Sequence, residues 1–97
     1  MKIWIDDLRP APEGYVHYKT VDGAAFAILL YEKKGISIEL IDIDHDAGDC
    51  GPPDYIKLLD WLEETGRNYP IRIHSQNPVG VANMRRIIQR NGWKEVF

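Results

Sequence analysis

Short apolar runs alternate along the chain with longer segments in which apolar residues recur at helical spacing. The runs are typical of strands; they cover Lys2–Asp6, Tyr15–Thr20, Ile36–Asp44 and Pro70–Ser75, with a short last one in Trp93–Phe97. The third run has isoleucine or leucine at five positions, so we predict that it is the central strand.

Three segments between these runs are predicted to be helices, at Val21–Gly35, Pro52–Gly66 and Asn77–Gly92. Thr20 and Asn77 are typical N-caps, and the glycine that ends each segment is typical of a helix stop. Prolines near the start of the second and third segments favour helix starts there. The second segment carries a stripe at the spacing of a buried helix face: Tyr55, Leu58, Leu59 and Leu62.

The resulting order is β-β-α-β-α-β-α, followed by the short last strand. Strands joined by helices pair in parallel, with right-handed crossovers. We therefore predict one α/β domain over residues 1–97, a three-layer sandwich built on a small doubly wound parallel sheet.

Composition narrows the possible partners of this domain. The net charge of -3 argues against a protein that coats long nucleic acid by charge, but it leaves a nucleotide or an RNA end as a substrate. The single cysteine, Cys50, excludes an intrachain disulfide and fits a reducing, cytoplasmic setting. No signal peptide is expected, and no apolar run approaches the ~18 residues of a membrane span.

Charged and polar residues follow three of the predicted strands. They are Asp6 and Asp7 after the first, Asp44, His45 and Asp46 after the third, and His74 and Ser75 after the fourth. Ligands of parallel sheets bind beyond the carboxyl ends of the strands, so we expect these residues to meet at one edge.

Asp6, Asp7 and Asp44 are candidate ligands for Mg²⁺, because hard divalent ions prefer carboxylate oxygens and often accompany phosphate substrates. The alternative is that Asp7 and Asp46 only cap loops or helices.

His45 and His74 are candidates for a general acid–base pair with Asp44 beside them, since imidazole titrates near neutral pH. Opening a cyclic phosphate requires a base for water and an acid for the leaving alkoxide. The alternative is that each histidine only bonds the backbone at a strand end. His17, in the edge strand, is given no role.

Ser75, Asn77 and Gly80 lead into a predicted helix N-terminus, which favours an anion, and Arg9 is a candidate clamp for phosphate. The alternatives are an ordinary Asn-Pro cap and a solvated arginine. Zinc is not expected: Cys50 lies near suitable donors, but their spacing matches no standard zinc pattern.

Three stretches, WIDDLRPAPEG, IDIDHDAG and IHSQNPVGVANM, resemble in order the cyclic-phosphate processing receiver domains, a family related to response-regulator receivers. The resemblance covers nearly the whole chain. It implies a flavodoxin-like sheet in the strand order 2-1-3-4, and a role in processing cyclic phosphate ends in RNA repair or nucleotide metabolism.

The resemblance also implies roles for individual residues. Asp6 and Asp7 resemble the acidic pair of receivers, Asp44 the phosphoacceptor and Ser75 the hydroxyl residue after the fourth strand. The motifs specific to the narrower family contain His45, His74, Asn77 and Asn83, and the resemblance adds Asn83 to the candidate phosphate-binding residues. The chain departs from receivers because its first two strands leave almost no room for a helix between them, and because Lys94 stands at the start of the last strand.

Three functions follow as hypotheses. The first is a phosphoesterase that opens the cyclic phosphate of a small phosphorylated substrate or an RNA end. The second is a non-catalytic degenerate receiver that serves as a binding or signalling module. The third, placed below these two, is a Mg²⁺-dependent phosphomonoesterase with Asp44 as its nucleophile.

Overall fold

Five parallel strands form a single sheet. In the computed structural model, which describes residues 1–51 and 53–97, they are β1 (Lys2–Ile5), β2 (Tyr15–Tyr18), β3 (Leu40–Ile43), β4 (Ile71–Ile73) and β5 (Glu95–Val96). The strand order is β2-β1-β3-β4-β5, and each neighbouring pair is parallel. The predicted α/β class, the order of the first four strands and the short fifth strand are confirmed.

Three α-helices connect the later strands: α1 (Val21–Lys33), α2 (Ile56–Glu64) and α3 (Pro78–Asn91). Two of them begin at the predicted caps. Thr20 Oγ1 accepts a hydrogen bond from the Gly23 amide at 3.0 Å, and Asn77 Oδ1 accepts one from the Gly80 amide at 3.0 Å. Among the described residues, no helix is long and apolar enough to cross a membrane.

The hydrophobic core lies between the helices and one face of the sheet. Alternate strand residues point to this face, and the predicted stripe of α2 is fully buried against it. The cluster contains Ile3, Ile5, Ile41, Ile43 and Ile71 from the strands, Ala24 and Ile28 from α1, Tyr55 just before α2, Leu58, Leu59 and Leu62 from α2, and Met84, Ile87 and Ile88 from α3.

The helices form one layer in the described part of the chain, which differs from the three layers predicted. The crossovers that contain α1, α2 and α3 all run in the same direction across the sheet, so right-handed connections place the helices on one face. The connection from β1 to β2 runs the other way, and it is a loop with no α-helix. This loop covers part of the second face, where Trp4 Nε1 donates to the Arg9 carbonyl at 3.0 Å.

The central strand is shorter than predicted, since β3 begins at Leu40 and the expected strand began at Ile36. The Ile36 amide instead donates to the Tyr31 carbonyl at 2.8 Å and closes the end of α1. Pairing starts only where β1 offers a partner, with Lys2 opposite Leu40.

The predicted proline start of the second helix is wrong, because α2 begins at Ile56. The segment before it is tied to the loop after β3: the Tyr55 amide donates to the His45 carbonyl at 3.0 Å, and Asp54 Oδ1 accepts from the Ala47 amide at 3.2 Å. Pro52, which the prediction included in the helix, lies outside the described residues.

Candidate functional site

The carboxyl ends of β1, β3 and β4 meet at one edge of the sheet, as expected. Ladder hydrogen bonds continue one residue past each strand and fix the backbone of the polar residues there. The Asp44 amide donates to the Ile5 carbonyl at 2.9 Å, and the His74 amide donates to the Ile43 carbonyl at 3.0 Å. We call this edge the rim.

Asp6, Asp7 and Asp44 form an acidic pocket at the rim. Each offers a carboxylate oxygen, and these oxygens lie within 4.8 Å of one another. Asp6 is 1% exposed and Asp44 8% exposed, so the pocket is set into the surface. Three carboxylates at this spacing fit the ligand preference of a hard divalent cation.

Arg9 reaches into the same pocket from the loop after β1. Its Nη1 lies 3.4 Å from Asp6 Oδ2 and 4.0 Å from Asp44 Oδ2, and it donates to the His74 carbonyl at 3.0 Å. The guanidinium therefore partly neutralises the carboxylates, and it is not the freely solvated loop charge of the alternative interpretation.

Asp6 accepts more hydrogen bonds than Asp7 or Asp44 does. Oδ1 accepts from the amides of Leu8 and Arg9 at 2.8 and 2.9 Å, and Oδ2 faces His74 Nε2 at 2.9 Å. Burial raises the pKa of Asp6, but the hydrogen bonds from Arg9, Leu8 and His74 together outweigh burial and hold the pKa below its usual range.

Acidification is expected to destabilise the fold through Asp6. Its pKa in the folded state lies below the value of about 3.9 in an unfolded chain. The ionised carboxylate therefore contributes stability above the unfolded pKa, and this contribution is lost as the pH falls through the folded pKa.

Urea unfolding of the parent and of Asp6→Asn over a series of pH values measures this contribution. The parent should be more stable near neutral pH, and the difference should narrow below about pH 4. A difference that stays constant down to the lowest pH would show that Asp6 is not responsible.

His45 follows Asp44 of the pocket in sequence, its amide donates to Asp44 Oδ1 at 2.8 Å, and a carboxylate orients its ring. Its Nδ1 lies 2.7 Å from Asp46 Oδ1, and Asn77 Nδ2 donates to the same oxygen at 3.3 Å. The hydrogen bond with His45 lowers the pKa of Asp46 more than burial raises it, and Asn77 lowers it further. An ionised Asp46 accepts the Nδ1 proton, which leaves Nε2 as the nitrogen that exchanges protons.

Gly80 lets the first turn of α3 lie against the His45 ring. A Cβ at this position would lie 2.7 Å from both Nδ1 and Cδ2 of His45, closer than such atoms approach. Gly80 is buried, and its amide is taken by the Asn77 cap. The predicted phosphate-binding glycine therefore packs against the candidate base.

His74 has a different environment from His45. Its Nδ1 lies 2.7 Å from Asp42 Oδ1 and its Nε2 lies 2.9 Å from Asp6 Oδ2, so carboxylates flank both ring nitrogens. Its ring stacks on Trp4, with centroids 3.8 Å apart and planes 2° apart. The His74 side chain is 7% exposed and that of His45 13%, so the carboxylates on both ring nitrogens, and not burial, set His74 apart.

The remaining predicted residues lie around the start of α3. Ser75 Oγ accepts from the Asn77 amide at 3.1 Å, which leaves the hydroxyl proton free for another acceptor. Asn83 lies in the second turn of α3, where its Oδ1 accepts from Arg86 at 2.8 Å. The structure therefore brings Ser75 and Asn77 to the rim but gives Asn83 a partner within the helix.

Three residues of this region were given no role by the sequence analysis: His17, Asp42 and Arg72. Asp42 Oδ2 lies 3.1 Å from Arg72 Nη1, and His17 Nε2 lies 2.7 Å from the Asp6 carbonyl. In register, these residues and Trp4 form one row across four strands, on the face opposite the helices. The sequence does contain a signal for Asp42, because a charged residue between two isoleucines of a predicted buried strand is unusual.

Comparisons with known proteins agree with this geometry at the level of the family. Neither a search of the curated proteins nor a search of the solved structures found a match. The family model of the cyclic-phosphate processing receiver domain matches residues 1–90. The parallel sheet in receiver order, with acidic residues at its rim, is the fold that this match implies. The chain therefore belongs to the family of cyclic-phosphate processing receiver domains.

Proposed function

We propose that the protein hydrolyses the cyclic phosphodiester of a small phosphorylated substrate or an RNA end, with His45 as the general acid–base. The observation that carries the proposal is the orientation of His45 by Asp46, at a residue whose backbone amide donates to Asp44 Oδ1 of the acidic pocket at 2.8 Å. Carboxylate-oriented imidazoles are well suited to accept a proton from water near neutral pH.

The negative charge that Arg9 leaves at the rim favours a divalent cation, which would let an anionic phosphate approach. Asp6, Asp7 and Asp44 would hold Mg²⁺, which would shield these carboxylates and polarise the phosphoryl oxygens. Asp7 and Asp44 have more free oxygen capacity than Asp6, whose two oxygens already accept hydrogen bonds.

Two further elements support phosphate binding. Arg9 supplies a guanidinium next to the pocket, and 41% of its side chain is exposed and available to a ligand. The N-terminus of α3 presents its positive dipole end beside the Ser75 hydroxyl.

The reaction is a displacement at phosphorus by water. Nε2 of His45 takes one proton from the attacking water, whose oxygen forms the new P–O bond. The P–O bond to one ribose oxygen breaks, and that alkoxide receives the proton from His45. One water is consumed, the product is a phosphomonoester, and His45 returns to its starting state.

The contacts of the two histidines support different roles for them. His45 has an orienting partner on Nδ1 and exchanges protons through Nε2, whereas His74 has carboxylates on both nitrogens. We therefore assign proton transfer to His45 alone, and we assign to His74 the placement of Asp6.

A turnover screen tests the proposal. The purified protein is offered 2′,3′-cyclic nucleotides, a short RNA with a 2′,3′-cyclic end, and 3′,5′-cyclic nucleotides, each with Mg²⁺, Mn²⁺ or EDTA. Turnover is expected with a divalent cation and should fall in EDTA and in Asp44→Asn. If the folded protein turns over none of these substrates, the hydrolase proposal fails and the non-catalytic binding module replaces it.

A further inference from the structure

On the face of the sheet opposite the helices, a series of contacts between charged side chains connects the surface to the acidic pocket. Arg72 Nη1, on a side chain that is 42% exposed, lies 3.1 Å from Asp42 Oδ2. Asp42 Oδ1 lies 2.7 Å from His74 Nδ1, and His74 Nε2 lies 2.9 Å from Asp6 Oδ2. Asp42 and Asp6 are each 1% exposed, so the middle of this chain is shielded from water.

The two carboxylates fix the His74 ring at both ends. Each ring nitrogen lies within hydrogen-bond distance of a buried carboxylate oxygen, Asp42 Oδ1 at 2.7 Å and Asp6 Oδ2 at 2.9 Å. Rotation of the ring would break both hydrogen bonds, and the parallel contact with Trp4 opposes a tilt of its plane. His74 therefore presents Nε2 to Asp6 in one orientation.

Asp42 is the part of this arrangement that packing does not explain. It lies between Ile41 and Ile43 on β3. Their side chains point into the hydrophobic core, and the Asp42 side chain points to the other face of the sheet. A buried ion pair is often no more stabilising than apolar side chains of similar volume. A role at the rim accounts for the charge better than stability does.

We propose that Asp42 is a positioning residue: it fixes the ring of His74, and His74 in turn fixes Asp6 within the acidic pocket. An effect of Asp42 on the reaction rate rests on the proposed function, because its measurement needs a substrate that the parent protein converts. An effect of Asp42 on the position of the His74 ring can be measured without a substrate.

Asp42→Leu tests both consequences, because leucine has nearly the same shape and no acceptor. Loss of an outer-shell partner of a metal ligand typically costs about 10–100-fold in metal affinity or activity, and Asp42 acts on the candidate ligand Asp6 through His74. We expect a fall of this size in kcat with little change in KM, and partial recovery in Asp42→Asn, which keeps an acceptor. Asp60→Asn, on α2 away from the rim, is the matched control and should match the parent.

NMR of the His74 ring protons supplies the readout that needs no substrate. Stacking on Trp4 should shift these protons upfield in the parent. The upfield shift should diminish in Asp42→Leu and should persist in Asp60→Asn. If Asp42→Leu does not fold, the double variant Asp42→Leu/Arg72→Met removes the unpaired charge and is measured in its place.

A double-variant cycle separates positioning from a general structural effect. If Asp42 acts through His74, adding Asp42→Leu to His74→Gln should change kcat by no more than about twofold, since coupled residues are not additive. If the double variant instead loses kcat by the product of the two single losses, the inference is overturned. It is also overturned if the chemical shifts of the His74 ring protons do not change in Asp42→Leu. Absence of turnover by the parent would count against the proposed function, and the ring shifts would still decide the role of Asp42.

Discussion

Replacing His45 by glutamine is expected to lower kcat for a cyclic phosphodiester by about 10²–10⁴-fold, the range that general acid–base catalysis supplies. Glutamine keeps a polar side chain of similar length but cannot exchange a proton. The 2.7 Å contact between Nδ1 and Asp46 orients the imidazole, and no other described histidine combines such an orienting carboxylate with a second nitrogen free of one. The measurement is the steady-state rate under the cation condition at which the parent turns over.

His17→Gln is the matched control for this substitution. His17 lies on the edge strand β2 and contacts the rim only through the backbone carbonyl of Asp6. Its kcat should stay within a few-fold of the parent, and the melting temperatures of all three proteins should be similar. A His45→Gln protein that turns over as fast as the parent would exclude His45 as the general acid–base.

Replacing Gly80 by alanine is expected to damage both stability and turnover. The new methyl group would lie 2.7 Å from two atoms of the His45 ring, so the ring has to move away from Asp46 or α3 has to shift. Forced overpacking of this kind costs about 1–3 kcal/mol, of which better helix propensity returns up to about 1 kcal/mol. Displacement of a reacting group by about 1 Å can cost roughly 10²-fold in rate.

Gly23→Ala provides the matched control, because Gly23 holds the same position in α1 that Gly80 holds in α3. Both amides donate to the N-cap side chain at 3.0 Å. A Cβ at Gly23 meets only the Thr20 hydroxyl oxygen, and moving this oxygen weakens the cap by about as much as alanine gains in helix propensity. Chemical unfolding and kinetics should show Gly23→Ala near the parent in both measurements. If Gly80→Ala also equals the parent, the close approach of α3 to His45 has no functional consequence.

Much of the fold could be predicted from local pattern. The strand runs, the caps at Thr20 and Asn77 and the rule of right-handed crossovers predict the order of elements and the meeting of strand ends at the rim. The boundaries at Leu40 and Ile56 could not be predicted, because they depend on contacts distant in sequence. The single helix layer is a consequence of the loop between β1 and β2.

The candidate site could be predicted only in part. Residue type and strand ends indicated Asp6, Asp44 and both histidines, but spacing alone does not show which carboxylate each imidazole contacts. Asp46 lies next to His45 in sequence and was counted among the polar strand-end residues, but not as the partner of His45. The pairing of Asp42 with His74 depends on strand register, which places residues 30 or more positions apart side by side.

The most direct test of the central claim is ³¹P NMR of a 2′,3′-cyclic nucleotide pool and a cyclic-ended RNA incubated with the protein and a divalent cation in ¹⁸O-enriched water. Hydrolysis by attack of water at phosphorus predicts conversion to phosphomonoesters that each carry one ¹⁸O on phosphorus, and conversion at least about 10²-fold slower with His45→Gln. Cyclic phosphodiester that remains unchanged in the presence of the folded parent protein would contradict the account.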